Sequence, residues 1–289
     1  MGGGYLNNTS PLNINMEVIL HDCNVKTNNT KTLVEPANVS NPNLLINPDF
    51  KINQRLQSSY SSKDAHTIPI VYTVDRWYVY GHSVTVNSDK TITITPSEYS
   101  EGAFIQILEN TVSGPVVLNV CVKDISGTVT VSIRDIDANT KTLGTLKTGE
   151  NIFKSNNGCA RVIIRCSSGA SATLKWVKLE KGTVATLFIE PDRATEMLKC
   201  QRFFQRTYLM ATFYGVQDQT YRIPINIPVN MRIEPTFKKD IKYAFNIKNS
   251  DGSIVSKSQS YVQYYFYLQA QVSLSCSFEC NLQIDAEIY

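Results

Sequence analysis

Val262-Gln263-Tyr264-Tyr265-Phe266-Tyr267-Leu268-Gln269-Ala270-Gln271-Val272-Ser273-Leu274-Ser275-Cys276-Ser277-Phe278-Glu279-Cys280-Asn281-Leu282-Gln283-Ile284-Asp285-Ala286-Glu287-Ile288 alternates apolar and polar residues almost without a break. Val262, Tyr264, Phe266, Leu268, Ala270, Val272, Leu274, Cys276, Phe278, Cys280, Leu282, Ile284, Ala286 and Ile288 share one parity. Successive side chains of a strand point to opposite faces, so a period of two means one buried face and one wet face. The run is too long for one ordinary strand of about 5–6 residues. It is expected to break into two or three strands, to fold as a simple hairpin, or to cross a subunit interface. The polar parity carries Tyr265 and Tyr267, with Tyr261 just upstream, on a face otherwise made of Gln and Ser. These three tyrosines form a candidate receptor or subunit-interface surface; cross-strand aromatic pairing is the plainer reading.

The same period extends upstream in shorter pieces. Val84-Thr85-Val86 and Thr91-Ile92-Thr93-Ile94-Thr95 flank Asn87-Ser88-Asp89-Lys90, a hairpin pattern. Ala103-Phe104-Ile105-Gln106-Ile107-Leu108, Val116-Val117-Leu118-Asn119-Val120-Cys121-Val122 and Gly127-Thr128-Val129-Thr130-Val131-Ser132-Ile133 follow. Arg161-Val162-Ile163-Ile164-Arg165-Cys166 and Ala172-Thr173-Leu174-Lys175-Trp176-Val177-Lys178-Leu179 complete the set. Seven or eight short strands with turn residues between them predict a jelly-roll-like β-sandwich over 43–191. One helix is predicted: Asp192 caps a stretch running to Phe204, with Met197, Cys200, Phe203 and Phe204 on one stripe. It is expected to hinge the sandwich to a second, sandwich-like β domain over 205–289. Residues 1–42 are rich in Asn and Thr, with a single strand-like segment at Met16-Glu17-Val18-Ile19-Leu20. They read as a docking arm or linker. The fold class is therefore all-β, with one short connecting helix over 192–204.

Composition supports a folded chain: of 289 residues 42% are apolar and 18% charged, the reverse of a disordered balance. A net charge of +3 is too small to imply nucleic acid or an anionic membrane as partner. No apolar stretch of about 20 residues exists, so membrane insertion is not expected. The start Met1-Gly2-Gly3-Gly4-Tyr5-Leu6 has no basic region before an apolar one, so a cleaved signal peptide is not expected. Leu6 stands where a myristoylation motif wants Ser or Thr. The seven cysteines are an odd number for a disulfide framework. Cys276 and Cys280 lie roughly 13 Å apart along one strand, whereas a disulfide needs Cα atoms about 4.4–6.8 Å apart. Free thiols filling a core in a reducing compartment are the expectation.

Motifs for chemistry are scarce. His21, His66 and His82 stand apart, and there is no HExxH, CxxC, GxSxG, GxGxxG or phosphate-binding loop. Neither catalytic residues, nor a cofactor, nor a metal site is expected. Asp135 and Asp137 share a strand face and read as a solvated loop. Asp75-Arg76-Trp77 has two readings. Trp77 could stack on a sugar ring while Asp75 and Arg76 bond its hydroxyls; or Trp77 fills the core while Asp75 and Arg76 pin a strand end. Trp176, in the context Leu174–Trp176–Lys178, is ambiguous between faces.

Four stretches resemble a known family. They are Asn43-Leu44-Leu45-Ile46-Asn47-Pro48-Asp49-Phe50-Lys51-Ile52-Asn53-Gln54-Arg55; Tyr72-Thr73-Val74-Asp75-Arg76-Trp77; Val177-Lys178-Leu179-Glu180-Lys181-Gly182-Thr183-Val184-Ala185-Thr186 with Glu196 and Cys200-Gln201-Arg202-Phe203-Phe204; and Ile227-Pro228-Val229-Asn230-Met231-Arg232-Ile233-Glu234-Pro235-Thr236 with Ile284-Asp285-Ala286-Glu287-Ile288. Their order and content are similar to small phage tail-fibre and receptor-binding proteins with a carbohydrate-binding-like sandwich. The resemblance leaves out residues 1–42, and it departs where the family has Pro after Ala-Thr, since Leu187 follows Thr186. It implies a virion protein made in the bacterial cytoplasm, a homo-oligomeric and preferentially trimeric fibre, and binding to a host surface glycan or protein. Other virion proteins would be met through the N-terminal arm. The same family supplies head fibres and baseplate proteins, so a purely structural virion component is the alternative, and a glycan-acting hydrolase a lesser one.

Overall fold

The structure, a computed structural model, describes residues 40–62, 70–96, 102–249, 255–257 and 262–287. Residues 1–39 of the expected arm, with the segment 16–20 and His21, lie outside the described residues, as do His66 and Tyr261.

Among the described residues twelve strands precede the helix. They are β1 (Ser59–Ser61), β2 (Val71–Tyr72), β3 (Tyr78–Tyr80), β4 (His82–Val86), β5 (Ile92–Pro96), β6 (Ala103–Val112), β7 (Val116–Ser126), β8 (Val129–Arg134), β9 (Thr140–Thr145), β10 (Gly149–Ser155), β11 (Cys159–Cys166) and β12 (Ser171–Lys181). They form two antiparallel sheets, ordered β1-β4-β5-β12-β7-β10 and β2-β3-β6-β11-β8-β9. The alternating apolar residues of both meet in one core, with Ile92, Ile94, Phe104, Leu118, Val120, Val131, Val162, Ile164 and Leu174 essentially sealed from solvent. The expected hairpin at 84–95 forms, with Val86 opposite Ile92.

The helix α1 (Arg193–Gln201) starts where expected, with the Asp192 carboxylate accepting a hydrogen bond from the Thr195 N–H at 2.8 Å. It ends three residues earlier than the sequence suggested. Arg202 closes it, and Phe204 already belongs to the next strand. Both phenylalanines are completely buried, and pairing of Phe204 with Asp285 wins over continued helix.

The remaining strands are β13 (Phe204–Tyr214), β14 (Thr220–Ile225), β15 (Thr236–Phe245), β16 (Ile247–Asn249), β17 (Val255–Lys257), β18 (Val262–Ala270) and β19 (Ser275–Asp285). One sheet runs β13-β19-β15; the other runs β14-β18-β16, with β17 also on β18. Leu209, Phe278 and Ile284 of the first meet Ile225, Phe266 and Leu268 of the second in a small separate core. The long alternating run thus yields two strands, and the hairpin expectation is overturned. β18 and β19 do not pair; they lie in opposite sheets, joined by a bend at 271–274 where Leu274 is exposed.

Candidate functional site

Asp75, Arg76 and Trp77 occupy a tight turn in which Thr73 N–H donates to Trp77 O at 2.8 Å and Trp77 N–H to Val74 O at 3.0 Å. Arg76 adopts φ +72°, a left-handed conformation that costs energy in a non-glycine residue. The turn sends Trp77 into the sandwich and Arg76 towards the second unit. Trp77 is 0% exposed, stacked on Phe104 at 4.6 Å and met edge-on by Phe50 at 5.4 Å. Its indole N–H donates to Asn47 O at 2.9 Å. No face of the ring is open to a sugar, so the stacking reading of Trp77 is corrected: it is a core residue.

Asp75 and Arg76 are equally sealed, and they join parts of the chain far apart in sequence. Arg76 donates to the Glu287 carboxylate at 2.6 Å and to Ile107 O at 2.7 Å, while its guanidinium lies 3.7 Å from the Phe203 ring centre. Arg55 covers the Phe204 ring at 3.9 Å and approaches Glu287 at 3.4 Å. Asp75 accepts from the Gln54 backbone and side-chain N–H groups, both at 2.7 Å. The Gln54 side chain also donates to Phe204 O, and Asn47 N–H donates to Glu196. Burial raises the Asp75 carboxyl to about 6, against the pull of Arg55 and the Gln54 donors. Part of each resembling stretch, namely Asn47 and Gln54, Asp75 and Arg76, Glu196 with Phe203 and Phe204, and Glu287, therefore converges on one buried junction between sandwich, helix and second unit. Its carboxylates and amides are paired within it, while one buried nitrogen of Arg55 and one of Arg76 keep no hydrogen-bond partner.

Tyr265 and Tyr267 project from β18 on the outer side of the β14-β18-β16 sheet, half-buried, with Arg222 5.7 Å from the Tyr267 ring. Their neighbours opposite are Pro224 and Arg222 of β14.

An open aromatic surface lies elsewhere, on β12. Ala172 and Leu174 point into the sandwich core, and so do Val177 and Leu179, although the two pairs differ in parity. A β-bulge between Leu174 and Trp176 makes the shift, and it turns Trp176 outward. The segment after β12 then folds back over the outer face. Thr186 is its fastener: its N–H donates to Glu180 at 2.8 Å, its hydroxyl also bonds Glu180, and it accepts from the Lys178 ammonium at 2.6 Å. Lys178 also donates to Leu187 O at 2.7 Å. Two residues on, Phe188 lies flat against Trp176, centroids 4.4 Å apart and planes 3° from parallel.

The pair lines a hollow of about 300 Å³ with Asp49, Lys51, Asp89, Lys90, Thr91, Lys175 and Glu190. Both rings are half-buried, so part of each remains accessible. Lys51 is paired with Glu190 and, at 3.4 Å, with Asp49; Lys123 holds Asp89 at 2.9 Å. Burial raises the Asp49 carboxyl, and Lys51 pulls against it. Thr91 and Lys123 hold the Asp89 carboxyl below its usual range. Fixed carboxylates and ammonium groups around an aromatic pair are suited to bonding hydroxyls around an apolar ring face. Next to this hollow, and sharing Lys51 and Lys90 with it, is a cleft of about 680 Å³ between the β4–β5 hairpin, the segment 51–58, α1 and β13.

Asp135 accepts from the N–H groups of Asp137 and Asn139 at 3.0 and 2.8 Å, which makes the Asp135/Asp137 pair a self-bonded turn. Among the described residues no three His, Cys, Asp or Glu side chains gather as metal ligands. His82 is buried, accepting from Cys166 N–H at 3.1 Å, and burial lowers its pKa.

No family model matches the chain, and no curated protein matches it. Among solved structures, a mutant family 29 carbohydrate-binding module is 12% identical, with 43% of this chain and 99% of that chain covered and a TM-score of 0.32. Another mutant of that module, complexed with mannohexaose, is 12% identical over 53% of this chain and 100% of its own, again at a TM-score of 0.32. At this degree of likeness neither match bears on the ligand or activity of the present chain.

Proposed function

We propose that the protein is a non-catalytic, glycan-binding adhesion protein of a phage fibre, holding sugar at the Trp176–Phe188 hollow. The observation that carries this reading is the outward Trp176, stacked on Phe188 and ringed by Asp49, Lys51, Asp89, Lys175 and Glu190. A pyranose offers a C–H face for the rings and a rim of hydroxyls for the charged groups. The hollow is shallow, so a single contact is weak; a homotrimer would make adhesion firm through effective concentration. Residues 1–42 would dock the fibre to other virion proteins.

Titration with a panel of oligosaccharides, mannohexaose and cellulohexaose among them, tests the proposal. Trp176 provides the fluorescence signal, since Trp77 is sealed. At least one sugar should shift the emission, and Trp176→Ala should abolish its binding as read by calorimetry. A panel without a single binder, or unchanged binding by the variant, overturns the reading. Steady release of fragments from a bound glycan would overturn its non-catalytic part.

A second reading, a structural virion component that binds only virion proteins, is favoured by the outer face of β13-β19-β15, where Met210 and Tyr214 are each 69% exposed and Phe245 51%. A native assembly that forms fully yet adsorbs to no cell would support it.

A further inference from the structure

The cleft beside the aromatic hollow is lined by Lys51, Lys90, Arg193 and Arg206 and by no carboxylate. Its other walls are amides, hydroxyls and short apolar groups, including Asn53, Gln57, Ser58, Asn87 and Ser88. Lys51 is neutralised by Glu190 and Asp49. The other three cations have no carboxylate within 4 Å among the described residues. The acids near them are engaged elsewhere: Asp89 with Lys123, Asp192 with the Thr195 N–H, and Asp240 with Lys242 at 2.7 Å. The contact of the Arg206 guanidinium is Arg55 O, at 3.4 Å. Three elements thus bring unpaired cations to one concave surface: the β4–β5 hairpin, the first turn of α1 and the start of β13. In water such a concentration is self-repelling, and an anion bound there relieves it. Two guanidinium groups add forked donors for a planar or tetrahedral oxyanion.

We infer that the cleft binds an anionic substituent, a carboxylate or a phosphate, carried by a sugar next to the one held on Trp176–Phe188. The two sites share Lys51 and Lys90, so one chain can pass from one to the other without leaving the surface. The inference rests on the proposed glycan-binding reading and narrows it to acidic glycans.

The test compares mannohexaose, its phosphorylated form and hexagalacturonate on the full chain, with Trp176 emission and calorimetry as readouts. At least one acidic probe should bind about tenfold tighter than mannohexaose, and rising NaCl should erode that advantage. The combined change Arg193→Gln and Arg206→Gln, the first exposed and the second half-buried, should remove the advantage and leave mannohexaose binding as it was. Whichever acidic probe gains affinity identifies the acid. Equal binding of all three probes overturns the inference and leaves glycan binding standing; binding of none overturns both. Polyglutamate binding that matches the acidic sugars and survives Trp176→Ala would show a bare cationic patch, and would also overturn it.

Discussion

In the larger sandwich β7 buries its first seven residues, Val116 through Val122; in the smaller unit β15 buries none of its ten. Both strands come from β-forming text with apolar residues at intervals. β7 lies between β12 and β10, whereas among the described residues β15 is an edge bonded only to β19. Alternation sets which side chains share a face, but depth depends on what covers that face. The sandwich closes over its apolar residues by itself. The smaller unit closes over one side and leaves Tyr208, Met210, Tyr214, Tyr243 and Phe245 on the other. The first is built to be complete alone, and the second is built to be completed, either by the junction or by a neighbour.

The largest break in this contrast should come from the junction. Glu287→Ala would strand Arg76 as a buried cation and cost about 3–5 kcal/mol. Denaturant unfolding should then separate into two transitions, the smaller unit melting first; a single unshifted transition would show that the tie is not what couples the units. Next is pH. The Asp75 carboxyl sits at about 6 when folded, against 3.8 for the free group. Its contribution is therefore fully present below pH 3.8 and is lost as pH rises through 6, at most about 3 kcal/mol. Midpoints measured across that window should show this slope in the native chain and not in Asp75→Asn.

A smaller effect is expected at the fastener of the aromatic hollow. Thr186→Val removes the hydroxyl shared by Glu180 and Lys178 and should cost about 1–3 kcal/mol. Trp176 emission should move to the red as Phe188 loosens, while the Trp77 environment stays as it was. Smallest for stability is Met210→Ser with Tyr214→Ser, within about 0.5 kcal/mol per site. Native mass is the decisive readout there: a reduced assembly state would identify the outer face as the surface that awaits a neighbour, and an unchanged one would remove it from consideration.

The layered fold was legible because period-two text at 84–179 and 262–287 has few physical alternatives. The edges were not: β1 and β2 have three and two residues, and β9 buries none of its six, so none carries enough patterning to stand out. The end of α1 was misjudged because Phe203 and Phe204 fit a helical stripe equally well, and only their tertiary partners decide otherwise. The candidate site was the least legible. Strict alternation from Leu174 sends Trp176 inward, and a bulge leaves no mark in single-sequence periodicity. Phe188 stood outside every strand signal, and its place depends on Thr186 finding Glu180. Conversely Asp75-Arg76-Trp77 looks functional by composition, but 211 residues separate Arg76 from the Glu287 that consumes its charge.

Among the described residues six free cysteines are buried: Cys121, Cys159 and Cys166 in the sandwich, Cys200 on the inner side of α1, and Cys276 and Cys280 in the smaller unit. Burial raises Cys159 and Cys166 to about 12 and pushes Cys200 well above its ordinary value, so the reactive thiolate is suppressed as well as shielded. The molecule consequently carries its own stopwatches. An alkylating reagent reaches each sulfur only when that layer opens, so the order in which peptides acquire the label becomes a film of how the molecule comes apart, unit by unit.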